Sequence, residues 1–254
     1  MIELREVYYS YDHNITLKNI SFKVREGEKV VLLGINGSGK STLLKLLNAL
    51  IFPTEGAYYY KGERVEEKSF KNKDFRRTFR REVALLFQNP EVMLFNPTVY
   101  DEMAFSLRQL GFREEETREK VEYWADKFGL SPLLKSPPFE LSLGQKQRLA
   151  LACLLVLSPK LLLLDEPTAH LDPKSTGWLV DLLWELPCTI ITSTHNLSLA
   201  EELGDRLLVL GQDHTLIYDG RIEDFLRDEE KLLKAGLLHR HRYRDKGGYH
   251  THGF

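Results

Sequence analysis

The 254-residue sequence is poor in several features whose scarcity narrows what it can be. It holds two cysteines, Cys153 and Cys188, far apart and in apolar surroundings. Their spacing suits no metal-ligand set, so both read as buried reduced thiols of a cytosolic protein and neither as a nucleophile. No charge of one sign dominates, since 35 Lys and Arg against 37 Asp and Glu leave a formal net charge of −2. Such an even chain has no general basic footprint, and no nucleic-acid partner is expected. Long hydrophobic runs are missing as well. The most apolar stretch, residues 149–164, is broken by Ser158, Pro159 and Lys160, and each half is too short to span a bilayer. The first eleven residues, MIELREVYYSY, contain acids and no apolar core of signal-peptide length, so export is not expected. What is present, 43% apolar residues over this length, fills one large α/β core with room for an inserted subdomain.

Residues 34–41 read GINGSGKS and lie between the short apolar run KVVLL and a stretch, residues 41–50, whose leucines repeat at helical spacing. A tight loop therefore joins a buried strand to a helix. Gly34, Gly37 and Gly39 admit left-handed backbone angles and let main-chain N–H groups close around phosphate oxygens, with the positive end of the helix behind them. Lys40 can reach terminal phosphates as a point charge, and Ser41 can offer its hydroxyl to a bridging magnesium ion.

Other candidates follow in chain order. Residues 2–11 and 20–25 alternate as antiparallel strands, and Tyr11 ends the first of them, where its ring can stack on a purine. Residues 57–61 read as a strand, and the charged stretch 63–82 as a solvated face. The apolar run VALLF, residues 83–87, ends in Gln88, a polar group at a strand terminus. Helical periodicity over residues 98–139 indicates a helical insert, closed by Pro137 and Pro138. LSLGQ, residues 141–145, opens the next helix with Ser142 at the N-cap, and its free N–H groups form an anion site if they face another subunit. LLLLDEPT places Asp165 and Glu166 at the C-terminal end of a central parallel strand. There Asp165 can hold magnesium and Glu166 can polarise water. The strand TIITS ends beside His195, a donor for a γ-phosphate at the same sheet edge. Residues 206–210 and 215–218 read as strands and 223–238 as a short helical segment. The tail, residues 239–254, carries His239, His241, His250 and His252 and is too polar and Gly-rich to pack, so disorder is expected.

Tyr11, GINGSGKS, Gln88, LSLGQ, LLLLDEPT, the pair Leu171 and Asp172, and His195 occur in the order found in ATP-binding cassette (ABC) ATPases, which the chain resembles from Ile2 to about Asp219. The resemblance implies an α/β, P-loop NTPase core with an N-terminal antiparallel β subdomain and an inserted helical signature subdomain. The cassette spans residues 1–222, with the insert at about 97–157. It implies that Tyr11 stacks on adenine and that Asn36, Gly37, Ser38, Gly39, Lys40, Ser41 and Thr42 hold ATP. Ser41, Gln88 and Asp165 are then the magnesium-side groups, Glu166 the catalytic base and His195 the γ-phosphate switch, with Gln88 also sensing the attacking water. Ser142, Gly144 and Gln145 would close on ATP bound by a second subunit, a homodimer mate or a paralogue, with Asp172 bridging the two. Leu143 and His170 depart from the commonest family pattern.

The segments FQNPEVMLFNPTVYDEMAF and EEKLLKAGL look like those of energy-coupling-factor importer ATPases, which take up vitamins, cobalt or nickel. That implies a peripheral protein on the cytoplasmic face of the cell membrane, bound to an integral membrane transport subunit and using ATP and Mg2+. Three other readings stay open: the nucleotide-binding subunit of another ABC transporter class, a cassette acting on nucleic acid or ribosomes, and a regulatory partner with a weak site.

Overall fold

The computed structural model describes residues 1–12, 14–169, 171–242 and 249–253. In chain order the elements are β1 (Ile2–Tyr11), β2 (Asn14–Val24), β3 (Lys29–Leu33), α1 (Lys40–Leu47), β4 (Glu55–Tyr60), β5 (Glu63–Arg64), α2 (Lys73–Glu82) and β6 (Val83–Leu86). The inserted helices α3 (Val99–Gln109) and α4 (Glu114–Lys127) follow, then α5 (Leu143–Leu155), β7 (Leu161–Asp165), α6 (Pro173–Glu185) and β8 (Thr189–Thr194). The chain continues through α7 (Leu197–Leu203), β9 (Arg206–Leu210), β10 (Leu216–Arg221), α8 (Ile222–Leu226), α9 (Glu229–Lys234), β11 (Leu238–Arg242) and β12 (Tyr249–Gly253).

Short strands that are nearly continuous apolar runs must be buried on both faces. β3 and β7 meet that requirement. In β3, Val31 and Leu33 enter one hydrophobic core while Val30 and Leu32 enter the other, and in β7 Leu162 and Leu164 part from Leu161 and Leu163 in the same way. These strands lie inside a six-stranded sheet of order β10-β9-β3-β8-β7-β6. Its β9, β3, β8, β7 and β6 are parallel, and β10 joins antiparallel. One core packs this sheet against the inserted helices, α5, α6 and the C-terminal helices. The other packs it against α1 and the antiparallel sheet β2-β1-β4-β5. Where parallel strands lie side by side, their C-terminal ends form one edge suited to ligands; Asp165 ends β7 there, and Gly34, Gln88 and His195 follow such ends.

Three expectations are corrected. The charged stretch 63–82 is more than a solvated face. Asn72 Oδ1 accepts from the N–H groups of Asp74 and Phe75 to start α2, and Phe79 is buried among Phe70, Phe75 and Tyr60. Aromatic residues spaced along one face anchor a helix even when charges outnumber them. Residues 223–238 form two short helices, α8 and α9, divided by Asp228, whose side chain caps the second. Of the tail expected to be disordered, residues 239–242 continue from Leu238 as a strand paired antiparallel with Tyr249–Gly253, while residues 243–248 and 254 lie outside the described residues. Backbone pairing needs no apolar residues, although a lone two-stranded ribbon is marginal in water.

Candidate active site

The loop after β3 is shaped by where a Cβ cannot go. Gly37 and Gly39 have φ of 84° and 108°, in the left-handed region open to glycine. A Cβ on Gly39 would stand 2.5 Å from the Thr16 carbonyl oxygen, and one on Gly34 would stand 2.8 Å from that of Leu210. The loop is therefore clamped between β2 and β9. Gly39 is the N-cap of α1 and supplies no side-chain cap, so the first N–H groups of that helix are left to an anion.

Asn36, Gly37, Gly39, Lys40, Ser41, Thr42, Gln88, Asp165 and Glu166 line one cleft of about 390 Å³. Ser38 is buried behind it, its Oγ without a hydrogen-bond partner among the described residues. Thr16, which the sequence patterns did not single out, completes the lining from β2.

Lys40 is buried and donates from Nζ to the carbonyls of Gly34 at 2.6 Å and Ile35 at 3.2 Å. Burial pushes its pKa down, opposed by the charges of Glu166 and Asp165. Glu166 Oε1 lies 3.7 Å from Lys40 Nζ and 2.9 Å from His195 Nδ1. An ionised carboxylate only accepts, so the His195 Nδ1–H is the donor in that contact. The Glu166 backbone has φ 49°, a conformation that costs a non-glycine residue roughly 1–3 kcal/mol and persists only where its surroundings enforce it. Its N–H donates to the Ser193 carbonyl at 3.2 Å and to Ser193 Oγ at 3.1 Å.

Ser41, Gln88 and Asp165 bring a hydroxyl, a carboxamide and a carboxylate to the same cleft. All three are hard oxygen donors of the kind magnesium takes together with phosphate oxygens, so the residues present fit that ion.

The remaining sequence candidates stand apart from this cleft. Tyr11 ends β1, exposed, its ring edge-on to Tyr9. Ser142 and Gln145 form a reciprocal capping box at the start of α5. The Ser142 N–H donates to Gln145 Oε1 at 2.9 Å, and the Gln145 N–H to Ser142 Oγ at 3.3 Å. Gly144 has open space where a Cβ would be. Asp172 caps α6, accepting from the N–H and the hydroxyl of Ser175, and these hydrogen bonds hold its carboxyl below the usual range. His170 lies outside the described residues. Two links from α5, one to the segment after the acids and one to α6, carry no sequence motif. Gln147 Nε2 donates to the Pro167 carbonyl at 3.1 Å, and Arg148 donates to Ser175 Oγ at 3.0 Å while lying over the Trp178 ring.

A glycine-rich anion loop, a buried lysine and adjacent acids at the C-terminal edge of a parallel sheet define a nucleoside-triphosphatase of the P-loop class. The family model for ABC transporters matches residues 17–169. A putative ABC transporter ATP-binding protein of Methanosarcina acetivorans is 44% identical over all of this chain and 92% of its own length. The nickel import ATP-binding protein NikO of Rhodobacter capsulatus is 43% identical, covering 94% of each chain. The energy-coupling factor transporter ATP-binding protein EcfA of Methanothermobacter thermautotrophicus is 38% identical over 93% of this chain and 76% of its own. Among solved structures, the dimeric cassette MJ0796 bound to ADP and Pi superposes with a TM-score of 0.77 at 28% identity, over 87% of this chain and 99% of that one. The chain belongs to the ABC transporter ATPase family: it is an ATP-binding subunit whose reaction is ATP hydrolysis coupled to transport. Among the described residues, no helix is long and apolar enough to cross a membrane.

Proposed function

We propose that this chain is one of two ATPase subunits that sandwich ATP and drive an importer of energy-coupling-factor type from the cytoplasmic face of the membrane. The observation that carries the hydrolytic part is the buried Glu166 carboxylate, within reach of His195 and Lys40 and next to Asp165, on a cleft lined by the phosphate loop. A triphosphate on the loop draws Lys40 Nζ from the Gly34 and Ile35 carbonyls to its own oxygens. Glu166 accepts the proton of the attacking water as general base. His195, released from Glu166, is free to donate to the γ-phosphate. Magnesium, held by Ser41, Asp165 and Gln88, would neutralise negative charge on the phosphates. Glu166→Gln is expected to keep ATP binding, nearly abolish turnover and trap a dimer. Normal turnover in that variant would sink the assignment.

The second subunit is inferred from what this cleft lacks. Ser142, Gly144 and Gln145 present N–H groups and a hydroxyl at a helix start but do not line their own cleft. A head-to-tail twofold pair brings that face onto the partner's ATP and completes both sites. Asp172 lies at that seam and Tyr11 beside the adenine. The dimeric MJ0796 with ADP and Pi supports this arrangement.

Importer type rests on the relatives named for energy coupling and nickel import and on the segment after Gln88. There Val92 and Phe95 are each 67% exposed, and Phe139 is 76% exposed. Phe139 lines a hollow with Leu94, Pro138 and the Glu91–Lys146 ion pair. Apolar side chains left in water beside a nucleotide-sensing strand end suit a membrane subunit's docking segment. Copurification from gently solubilised membranes tests this: an integral membrane protein supports it, and a ribosome or DNA refutes it.

A further inference from the structure

Both acids of the site are held by one hydroxyl. Ser193 lies on β8 directly opposite Asp165 of β7 in the parallel ladder, fully buried. Its Oγ donates to Asp165 Oδ1 at 2.6 Å and accepts from the Glu166 N–H at 3.1 Å. The Ser193 carbonyl accepts from that same N–H at 3.2 Å. The flanking hydroxyls do not share the task. Thr192 Oγ1 is buried without a partner among the described residues, and Thr194 Oγ1 accepts from the Asn196 N–H.

We propose that Ser193 is a positioning residue for hydrolysis, its hydroxyl acting both on the Asp165 carboxylate and on the Glu166 N–H, which the Ser193 carbonyl also holds. With Oδ1 engaged, Asp165 keeps one rotamer and presents Oδ2 to the cleft. With its N–H anchored twice, Glu166 keeps the left-handed backbone that carries its carboxylate to His195. Loss of the hydroxyl frees the Asp165 rotamer and leaves one of the two anchors on Glu166. The effect falls on groups that meet magnesium and water, and not on the glycine loop that holds the phosphates. The inference rests on the roles proposed above for Asp165 and Glu166.

The test compares wild type with Ser193→Ala, and with the pair Ser193→Thr and Ser193→Val, which match in shape and differ in the hydroxyl. Thermal stabilisation by ATP is titrated with Mg2+ and repeated in EDTA, and kcat is measured on the same preparations. For Ser193→Ala the Mg2+ concentration giving half the stabilisation should rise about tenfold, equivalent to about 1.4 kcal/mol, while ATP affinity in EDTA stays at the wild-type value. Its kcat should fall at least tenfold, and Ser193→Thr should recover more of both than Ser193→Val. If Ser193→Ala does not fold, the Thr and Val pair decides by the same readings. A merely structural serine would lower the melting temperature equally with and without Mg2+ and leave the half-saturation where it was, which overturns the proposal. A wild type without Mg2+-dependent stabilisation by ATP would refute the site reading itself, and the proposal with it.

Discussion

Gly144 separates what the helix start of α5 does for its own chain from what it does for a partner. It is the second residue of α5, and a Cβ built on it meets nothing within 4 Å. Its φ is not in the left-handed region, which in this chain is occupied by other glycines such as Gly37 and Gly39. Within one chain Gly144→Ala should therefore cost nothing. Alanine is the better helix former by up to about 1 kcal/mol, and for a chain of this size such a gain raises the melting temperature by roughly 2–4 °C. The same methyl group behaves differently if a second subunit closes on it. It stands among the N–H groups that would face a γ-phosphate, where loss of one preorganised donor costs about 10²–10³ in rate. ATPase activity should fall at least tenfold while stability holds or rises. Differential scanning fluorimetry and a phosphate-release assay on one preparation read both. Wild-type turnover in Gly144→Ala would refute placement of this helix start on a partner's nucleotide. A lowered melting temperature would refute the reading of open space.

Two further outcomes are expected. Gly37→Ala and Gly39→Ala both meet a backbone suited to glycine, but only Gly39→Ala also drives a Cβ against the Thr16 carbonyl. Gly39→Ala should thus lose more stability and more nucleotide affinity, and equal losses on unfolding and nucleotide titration would contradict the clamp between loop and β2. Burial pushes the thiols of Cys153 and Cys188 up, so at pH 8 each holds less thiolate than a free cysteine. Both should react slowly with a disulfide reagent until the chain is unfolded, and rapid reaction of the folded protein would contradict the packing of α5 and the β8 entry.

Much of the site was legible because its chemistry is packed into contiguous words. GINGSGKS, LLLLDEPT and the TH pair each sit at the end of an apolar run, and a buried strand followed by polar groups is a local pattern. The two-faced strands were readable for the same reason. Contacts across the sheet were not. Ser193 carries no motif of its own and matters only because the ladder sets it opposite Asp165. Thr16 reaches the cleft because β2 passes over Gly39. The start of helix α6 is signalled only by Asp172 and Pro173 as N-cap and first residue, a two-residue cue shared with the bridging role the family resemblance gives Asp172. The basic helix α2 was hidden by composition, its phenylalanines outnumbered by charge. The tail pairing was invisible because no periodicity announces it.

The geometry around Glu166 orders the steps of the cycle. Lys40 and His195 both meet its Oε1, and both are groups that a triphosphate would draw toward itself. Held by those two contacts alone, the carboxylate would lose its position whenever ATP bound. It is also held from behind, through its N–H to Ser193, in a part of the sheet that the phosphates do not touch. In the role proposed for it, Glu166 is therefore a base placed by folding and not by substrate, so no reorganisation would be required at the moment of reaction. What folding does not place is the second wall, since Ser142 and Gly144 do not line the cleft. On the roles proposed above, a site whose base is ready but whose donors come from a partner would bind ATP first and hydrolyse only on closure, and that delay would let hydrolysis be coupled to movement in a membrane subunit.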